Sequence, residues 1–333
     1  MVRVASFFRI RGEIIWKLSG DKLAELQRRF PKVEFHATAD AAEFASALGE
    51  SEIFLGFEVP RECFADAKRL RWAHSFQAGV EASLFPELVT SEVVLTNGSG
   101  LHDVVIPEHV IGAMLALCRN FHFARDVQNR AAWDRLTVAT AGGGMRRLAG
   151  SNVAVLGAGP IGEGIATRLN ALGAQVRVMR RRPGRPVPGA AATVGASDLH
   201  ALLAWADFTV IALPLTSETR NIIDAQALAQ MKQGALLINV GRGEMLDEAA
   251  LLEALRAGRL AGAALDVFRE EPLPAGDPLW AEPRVLLTPH LSGFTLDYFD
   301  RSLDLFEDNL RRFLGGEPLH NVVDKRLGYV VRE

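Results

Sequence analysis

Apolar residues recur along this chain in two alternating patterns. Short apolar runs, typical of buried strands, alternate with longer segments in which apolar residues recur every three or four positions, as in amphipathic helices. This alternation predicts an α/β fold in which a parallel sheet is covered by helices. Early strands are expected near 3–8, 33–36, 53–56, 72–75 and 93–96, and early helices near 21–30, 41–48 and 60–65.

A connecting segment follows these elements. Apolar residues between 106 and 124 have helical spacing and predict one long helix. The next stretch, 125–145, is polar and then glycine-rich, and it predicts an extended arm or loop. Such an arm either packs on a second subunit or is a surface excursion.

Further strands are expected beyond this segment, near 208–213, 235–240, 262–267 and 284–288. A strongly amphipathic helix after Thr295 should return the chain to the first unit. The pattern therefore predicts two doubly wound domains. We expect one α/β domain over 101–293, and a smaller, discontinuous one over 1–100 and 294–333.

A glycine-rich turn follows one buried strand. The apolar run 153–156 leads into Gly157, Gly159 and Gly162, and a helical run over 161–172 follows. The first glycine permits a tight turn, the second lets the backbone approach a pyrophosphate, and the third lets helix and strand pack closely. The helix N-terminus adds unpaired N–H groups. Glycine-rich loops match this spacing by chance, but the strand before it and the helix after it predict a dinucleotide site. We therefore expect 101–293 to be a Rossmann dinucleotide-binding domain, and 1–100 with 294–333 to be a flavodoxin-like substrate-binding domain.

Arginines stand where the ribose of the dinucleotide is expected. NAD sites usually place an acidic residue at the end of the next strand, to bind the ribose 2′-hydroxyl. Here Arg180, Arg181 and Arg182 occupy that place, and no Asp or Glu occurs between Glu163 and Asp198. Guanidinium groups pair bidentately with phosphate. The residues therefore favour NADP(H), with NAD(H) possible; the alternative is a solvated basic turn.

The composition mainly excludes certain classes of partner and of site. The chain has 333 residues, with 37 Lys and Arg against 40 Asp and Glu, so no nucleic-acid or membrane partner is expected. Cys63 and Cys118 are the only cysteines, which argues for a reducing compartment and against a metal site. The first residues are too charged for a signal peptide, and no segment approaches the ~18 apolar residues of a membrane helix. We expect a soluble, cytoplasmic protein.

Three polar residues follow successive predicted strands, where open α/β sheets form their binding crevice. They are Arg242, Glu271 and His290. The arginine would hold a substrate carboxylate, the histidine would deliver a proton to a carbonyl, and the glutamate would orient the imidazole. Each also has a structural interpretation: an arginine that caps a helix or forms an ion pair, an acid before a proline, and a histidine satisfied within the fold.

Several motifs in register resemble the D-isomer-specific 2-hydroxyacid dehydrogenase family over essentially the whole chain. In the second domain they are the glycine-rich loop 157–162 and the segments 213–219, 238–243, 265–274 and 288–290. In the first domain they are the segments 77–81, 95–97 and 108–110. The arginines at 180–182 are similar to those of NADPH-preferring glyoxylate/hydroxypyruvate reductases.

The resemblance assigns roles residue by residue. It implies that Arg242, Glu271 and His290 are catalytic and that Asp266 binds the nicotinamide carboxamide. It also implies a homodimer with a cleft that closes over the substrate. The implied substrate contacts are Gly79, Val80 and Arg242, and the implied cofactor contacts are Gly157, Gly159, Pro160, Ile161, Gly162, Arg180, Arg181, Thr219, Val240, Gly241, Asp266 and Gly293.

The sequence thus predicts an oxidoreductase that uses NADPH to reduce a small 2-oxo acid, such as glyoxylate or hydroxypyruvate, to the D-2-hydroxy acid. Two alternatives stay open. One is an NADH-linked reductase of a bulkier 2-oxo acid. The other is a nucleotide-sensing binding protein, because the family fold also serves transcriptional corepressors.

Overall fold

The chain folds into two compact units. The computed structural model describes residues 1–10, 13–16, 18–181 and 183–331. Unit 1 comprises Met1–Leu101 and Leu296–Glu333, and unit 2 comprises His102–Thr295. Unit 1 is therefore built from two separate stretches of the chain.

Each unit contains a predominantly parallel sheet and the helices that cover it. The helices are α1 (Gly20–Arg29), α2 (Ala41–Glu50), α3 (Arg61–Phe64), α4 (Pro86–Thr90), α5 (Val105–Cys118), α6 (Phe121–Asn129), α7 (Arg135–Thr140), α8 (Pro160–Ala171), α9 (Leu199–Trp205), α10 (Ala225–Gln230), α11 (Glu248–Arg256) and α12 (Tyr298–Gly315). The strands are β1 (Val2–Ile10), β2 (Glu13–Trp16), β3 (Val33–Ala37), β4 (Ile53–Gly56), β5 (Trp72–Ser75), β6 (Val94–Thr96), β7 (Asn152–Leu156), β8 (Gln175–Met179), β9 (Ala192–Val194), β10 (Phe208–Ile211), β11 (Ala235–Asn239), β12 (Leu260–Leu265) and β13 (Val285–Leu287).

Unit 1 has a flavodoxin-like strand order. The parallel strands run β3-β1-β4-β5-β6. When only the parallel strands are numbered, this is the doubly wound order 2-1-3-4-5. The short strand β2, which the sequence patterns did not predict, pairs antiparallel with the end of β1. Alternate residues of β1 enter different apolar clusters, Ala5 and Phe7 on one face and Val4 and Phe8 on the other. Both faces of this sheet are therefore buried.

Unit 2 has the dinucleotide-binding order. Its strands run β13-β12-β11-β10-β7-β8-β9, all parallel, which is the Rossmann order with one added strand at the end. Val153 and Val155 pack into one apolar cluster, and Ala154 and Leu156 pack into the other. Two-sided burial explains why these strands are nearly continuous apolar runs. The predicted fold class is confirmed.

Aspartates begin several of the helices. In each case the side-chain carboxylate accepts a hydrogen bond from a backbone N–H in the first helical turn, which would otherwise lack a partner. These N-cap residues are Asp40 of α2, Asp134 of α7, Asp224 of α10 and Asp247 of α11.

The prediction of one long helix over 106–124 is wrong. Helix α5 ends at Cys118, and α6 begins at Phe121 after Asn120, whose φ of 53° is left-handed. Asparagine tolerates that conformation better than most residues. Its amide nitrogen donates to the carbonyls of Val138 (2.8 Å) and Ala141 (2.9 Å). The side chain therefore stabilises the break.

The prediction of an arm or loop over 125–145 is also wrong. Most of this segment is helical, because it contains the end of α6, all of α7 and a single 3₁₀ turn at Ala141–Gly143. Asp134 caps α7 through the N–H of Thr137 at 3.0 Å. The low apolar content hid these helices, since exposed helices need few buried residues.

Candidate active site

The glycine-rich turn after β7 is as tight as its sequence predicts. Gly157 has a φ of 120°, and a Cβ there would lie 2.4 Å from the carbonyl oxygen of Ala212. At Gly162 a Cβ would lie 1.9 Å from the carbonyl oxygen of Gly157. Both positions therefore require glycine, one for conformation and the other for helix–strand packing.

Gly159 differs from these two glycines because no atom lies within 4 Å of a Cβ built on it. The space that a side chain would take is open, directly before α8. Pro160 and Ile161 form the first positions of that helix, whose N-terminal N–H groups attract an anion. The residues of this turn fit a dinucleotide pyrophosphate.

The basic turn after β8 begins at Arg180. Its backbone N–H donates to the carbonyl of Val194 (3.0 Å), and its guanidinium donates to the carbonyl of Arg185 (3.2 Å). Arg181 is exposed. Arg182, the third predicted arginine, lies outside the described residues. Two cations of the predicted cluster thus stand at the carboxyl end of β8, next to the glycine-rich turn.

Thr219 closes a small turn after β10. Its hydroxyl donates to the carbonyl of Pro214 (2.7 Å) and accepts from the N–H of Thr216 (2.8 Å). The side chain is therefore occupied in holding its own loop, as is the backbone N–H, which donates to the hydroxyl of Thr216 at 3.2 Å.

Arg242 follows β11, and a buried asparagine shapes its loop. The side chain of Asn239 accepts from the N–H of Gly241 and donates to the carbonyl of Arg242, each at 3.0 Å. The N–H of Val240 donates to Ile211 at 3.2 Å. Asn239 is fully buried. This role was not predicted from the sequence, although a polar residue at the end of a buried strand was a signal for it.

His290 and Glu271 form a hydrogen-bonded pair. Nδ1 of His290 lies 2.7 Å from Oε2 of Glu271, and Oε1 accepts from the N–H of Phe268 at 2.8 Å. The glutamate side chain is 12% exposed and the histidine side chain is 47% exposed. The carboxylate is thus fixed by the backbone while one edge of the imidazole remains accessible.

Asp266 anchors the loop that carries His290. Its carboxylate accepts from the hydroxyl of Thr288 (2.6 Å) and from the N–H groups of Leu291 and Ser292 (both 3.0 Å). Its carbonyl accepts from the N–H of His290 at 2.8 Å. This supports the positive φ of 51° at His290. This anchoring role was not predicted from the sequence.

A second carboxylate supports the segment before Glu271. Glu248 accepts from the N–H of Arg269 at 2.8 Å. Burial raises the pKa of Glu248; the bond from Arg269 opposes the shift, and the charges of Asp277 and Glu271 add to it. The side chain of Arg269 donates to Leu246 and Asn221. These contacts, which the sequence did not predict, fix the backbone between β12 and Glu271.

The remaining predicted residues are placed as follows. Gly293 lies against the ring of His102, where a Cβ would come within 2.9 Å of Nδ1. Gly79 and Val80 lie in unit 1, in the loop after β5. Arg242, Asp266, Glu271 and His290 all lie in unit 2, at the carboxyl ends of the neighbouring strands β11, β12 and β13.

Within residues 1–10, 13–16, 18–181 and 183–331, no helix is both long and apolar enough to cross a membrane. Over the same ranges, no group of three or more His, Cys, Asp or Glu side chains is arranged to hold a metal ion.

Known proteins resemble this chain in sequence and in structure. The profile of the D-isomer specific 2-hydroxyacid dehydrogenase NAD-binding domain matches residues 111–292. A glyoxylate/hydroxypyruvate reductase A from Salmonella newport (strain SL254) is 34% identical over 326 residues, which cover 89% of this chain and 98% of that protein.

Two solved structures extend the similarity. A D-isomer specific 2-hydroxyacid dehydrogenase from Xanthobacter autotrophicus Py2, in complex with NADPH and MES, has a TM-score of 0.78 and 31% identity, covering 98% of this chain and 99% of that one. An NADPH-dependent glyoxylate/hydroxypyruvate reductase from Sinorhizobium meliloti, in complex with NADP and sulfate, has a TM-score of 0.81 and 29% identity, with the same coverage. The chain therefore belongs to the D-isomer specific 2-hydroxyacid dehydrogenase family.

Proposed function

We propose that this protein is an NADPH-dependent reductase of small 2-oxo acids, with glyoxylate or hydroxypyruvate as substrate and the D-2-hydroxy acid as product. The observation that carries the proposal is the 2.7 Å pair of His290 and Glu271 at the strand ends of a dinucleotide-binding sheet. The names of the similar reductases support the substrate class.

His290 supplies the proton in this proposal. An ionised Glu271 can only accept a hydrogen bond, so Nδ1 of His290 carries the hydrogen between them. Nε2 is then the nitrogen that donates to the carbonyl oxygen of the substrate, and Glu271 stabilises the imidazolium. The reduced nicotinamide, when bound, supplies the hydride.

The substrate carboxylate requires cationic and N–H donors. Arg242 offers a planar guanidinium that matches a carboxylate in geometry. Gly79 and Val80 in unit 1 offer backbone N–H groups that have no acceptor among the described residues. We assign these three residues to the carboxylate.

The dinucleotide is assigned to unit 2. The pyrophosphate would lie at Gly157, Gly159 and Gly162, with Pro160 and Ile161 at the helix start. Asp266 already accepts three hydrogen bonds, and since a carboxylate has about four acceptor positions, one is left for the nicotinamide carboxamide. The remaining proposed contacts are Thr219, Val240, Gly241 and Gly293.

Cofactor preference would come from the basic turn. Arg180 and Arg181 stand where an acidic residue would bind a ribose 2′-hydroxyl. A charge-assisted hydrogen bond contributes roughly 1.5–3 kcal/mol, and solvent screening reduces the sum, so we expect ~10–100-fold preference for NADPH. Arg180→Asp combined with Arg181→Ala should abolish or reverse it without changing the order of preferred 2-oxo acids. A wild-type preference for NADH would show that this turn is only a solvated surface feature.

The overall proposal is tested by steady-state kinetics with the purified protein. Glyoxylate, hydroxypyruvate and bulkier 2-oxo acids are compared with NADPH and with NADH, and the configuration of the chiral products is determined. We expect the highest kcat/KM for a small acid with NADPH, and a D product. A higher value for a bulky acid, or an L product, would contradict the proposal.

We also infer a homodimer. Phe121, Trp133 and Leu136 are 60%, 92% and 74% exposed, all within the segment that carries α6 and α7. Several large apolar side chains exposed within one short stretch of the sequence are unusual on a monomer. A second copy of the chain is the partner that would cover them.

A further inference from the structure

In unit 1, hydrogen bonds to three successive backbone carbonyls hold the loop that follows β5. The carbonyl of Phe76 accepts from the hydroxyl of Tyr298 at 2.9 Å. The carbonyl of Gln77 accepts from the N–H of Gly98 at 2.8 Å, and that of Ala78 accepts from the amide of Asn97 at 2.5 Å. Three neighbouring peptide planes are therefore fixed by donors outside the loop.

This arrangement also sets the direction of the N–H groups. In a planar trans peptide the N–H points opposite to the C=O. With the carbonyls of Gln77 and Ala78 bound to their donors, the N–H groups of Ala78 and Gly79 point away from Gly98 and Asn97. These N–H groups and that of Val80 have no acceptor among the described residues. Consecutive free N–H groups of this kind form a binding site for an anion.

Tyr298 lies far from this loop in the sequence. It is the first residue of α12, and its ring packs against the apolar cluster that contains Phe76 and Phe306. Burial raises the pKa of Tyr298 to about 12, with a hydrogen bond from Ser302 acting in the opposite direction. The hydroxyl is therefore a neutral donor throughout the physiological range of pH.

We propose that Tyr298 is a positioning residue for the substrate carboxylate, because its hydroxyl holds the first of three successive peptide planes, of which the second and third carry the N–H groups of Ala78 and Gly79. This inference rests on the proposed function, which places the carboxylate at these N–H groups. Tyr298 touches neither the substrate nor the proton donor. It acts through the direction of the loop backbone.

Loss of the hydroxyl has a specific consequence. The carbonyl of Phe76 loses its side-chain donor, while the N–H of Gln77 in the same peptide plane still donates to Oγ of Ser75 at 3.2 Å. The plane between Phe76 and Gln77 is then less firmly held. The following N–H groups then bind the carboxylate in a less defined geometry. Binding of the acid weakens, whereas the pair of His290 and Glu271 in unit 2 is unchanged.

The test is Tyr298→Phe, which removes one oxygen atom and keeps the ring. We expect KM for glyoxylate and the inhibition constant of oxamate, an unreactive carboxylate analogue, to rise about tenfold, the equivalent of a typical lost hydrogen bond. The kcat should change by less than about twofold, and the dissociation constant of NADPH should not change. Tyr329→Phe, at the other tyrosine of the chain, is the matched control and should leave all four quantities unchanged.

A second measurement does not depend on the stability of Tyr298→Phe. The chain has two tyrosines, so fluorotyrosine incorporated into Tyr329→Phe labels position 298 alone. Addition of oxamate to the complex with NADPH should shift the single fluorine resonance in a saturable manner, because the hydrogen bond to Phe76 tightens with the loop.

The outcomes separate the two claims. A wild-type protein that reduces no 2-oxo acid would overturn the proposed function, and this inference with it. If the wild type is active, two results would overturn the inference alone: an unchanged KM in Tyr298→Phe, or a fluorine resonance that does not respond to oxamate. A fall in kcat without a change in KM would also overturn it.

Discussion

At the scale of single residues, hydrogen-bond partners fix the conformation of the side chains and loops that form the site. Arg242 shows this. Its loop is fixed by Asn239, and the N–H of Gly241 and the carbonyl of Arg242 are both occupied by that amide. The backbone of Arg242 is thereby set. Its guanidinium, whose Nη1 donates to the carbonyl of Gly241 at 2.7 Å, is the group that we assign to the substrate carboxylate.

Arg242→Lys should raise KM and lower kcat together. An ammonium group cannot reproduce the planar fork of a guanidinium, so one charge-assisted hydrogen bond is lost. The expected fall in kcat/KM is ~10–100-fold. Arg61→Lys, at a surface ion pair with Glu87, is the matched control and should behave as wild type. Normal kinetics in Arg242→Lys would mean that the carboxylate is held elsewhere.

His74 makes stability sensitive to acid. It is fully buried on β5, with Nδ1 2.7 Å from the hydroxyl of Thr96, and burial lowers its pKa to about 3. The unfolded chain takes up this proton near pH ~6.5, whereas the folded chain does not until about pH 3. The contribution to stability is therefore complete above the unfolded pKa and is lost as pH falls through this window.

The corresponding variant is His74→Gln. Between pH 7 and pH 5 its free energy of unfolding should fall less than that of the wild type, by about 2 kcal/mol. Denaturant unfolding at the two pH values measures this difference. Equal losses in the two proteins would show that His74 does not titrate differently in the folded and unfolded states.

At the scale of elements, two glycines of one turn should respond differently to the same substitution. At Gly159 a Cβ meets no atom within 4 Å, while at Gly162 it would meet the carbonyl of Gly157 at 1.9 Å. Gly159→Ala should therefore keep the stability of the protein and weaken NADPH binding at least tenfold, because the methyl group occupies the space of the pyrophosphate.

Gly162→Ala should lower stability as well as cofactor binding, since helix α8 must move away from the turn. Thermal unfolding and NADPH titration of both variants make the comparison. If Gly159→Ala binds NADPH as tightly as the wild type, the pyrophosphate does not lie at this turn.

The elements also show which parts of the fold the sequence patterns can predict. Strands β7, β10 and β11 were predictable because both of their faces are buried, which gives continuous apolar runs. The break between α5 and α6 was not, because it depends on the two long-range hydrogen bonds of Asn120. Strand β2 was not predicted because it is only four residues long, too short for a periodic pattern to be recognised.

The candidate site also contains some features that local sequence patterns predict and others that they do not. The glycine-rich turn could be predicted from the spacing of its glycines, whereas the roles of Glu271 and His290 were implied by the resemblance to the family. The anchoring of the loop of His290 by Asp266 and the support from Glu248 depend on tertiary contacts between strand ends. No local pattern encodes such contacts.

At the scale of the whole molecule, the exposed apolar residues of α6 and α7 determine the expected assembly. Wild-type protein should sediment as a dimer. Trp133→Glu combined with Leu136→Lys should give monomers, because charges would be buried without partners in the interface. Leu172→Lys, at an apolar residue that is also exposed (45%) but lies on another segment, should remain dimeric. A monomeric wild type would contradict the inferred homodimer.

The central claim is that the pair of His290 and Glu271 delivers the proton in the reduction of a 2-oxo acid. The most direct test is the kcat of His290→Ala with glyoxylate and NADPH, measured beside the dissociation constant of NADPH. We predict a fall in kcat of about 10²–10⁴-fold, the usual contribution of a general acid, with NADPH binding unchanged. A kcat close to that of the wild type would show that another group supplies the proton and would contradict the account.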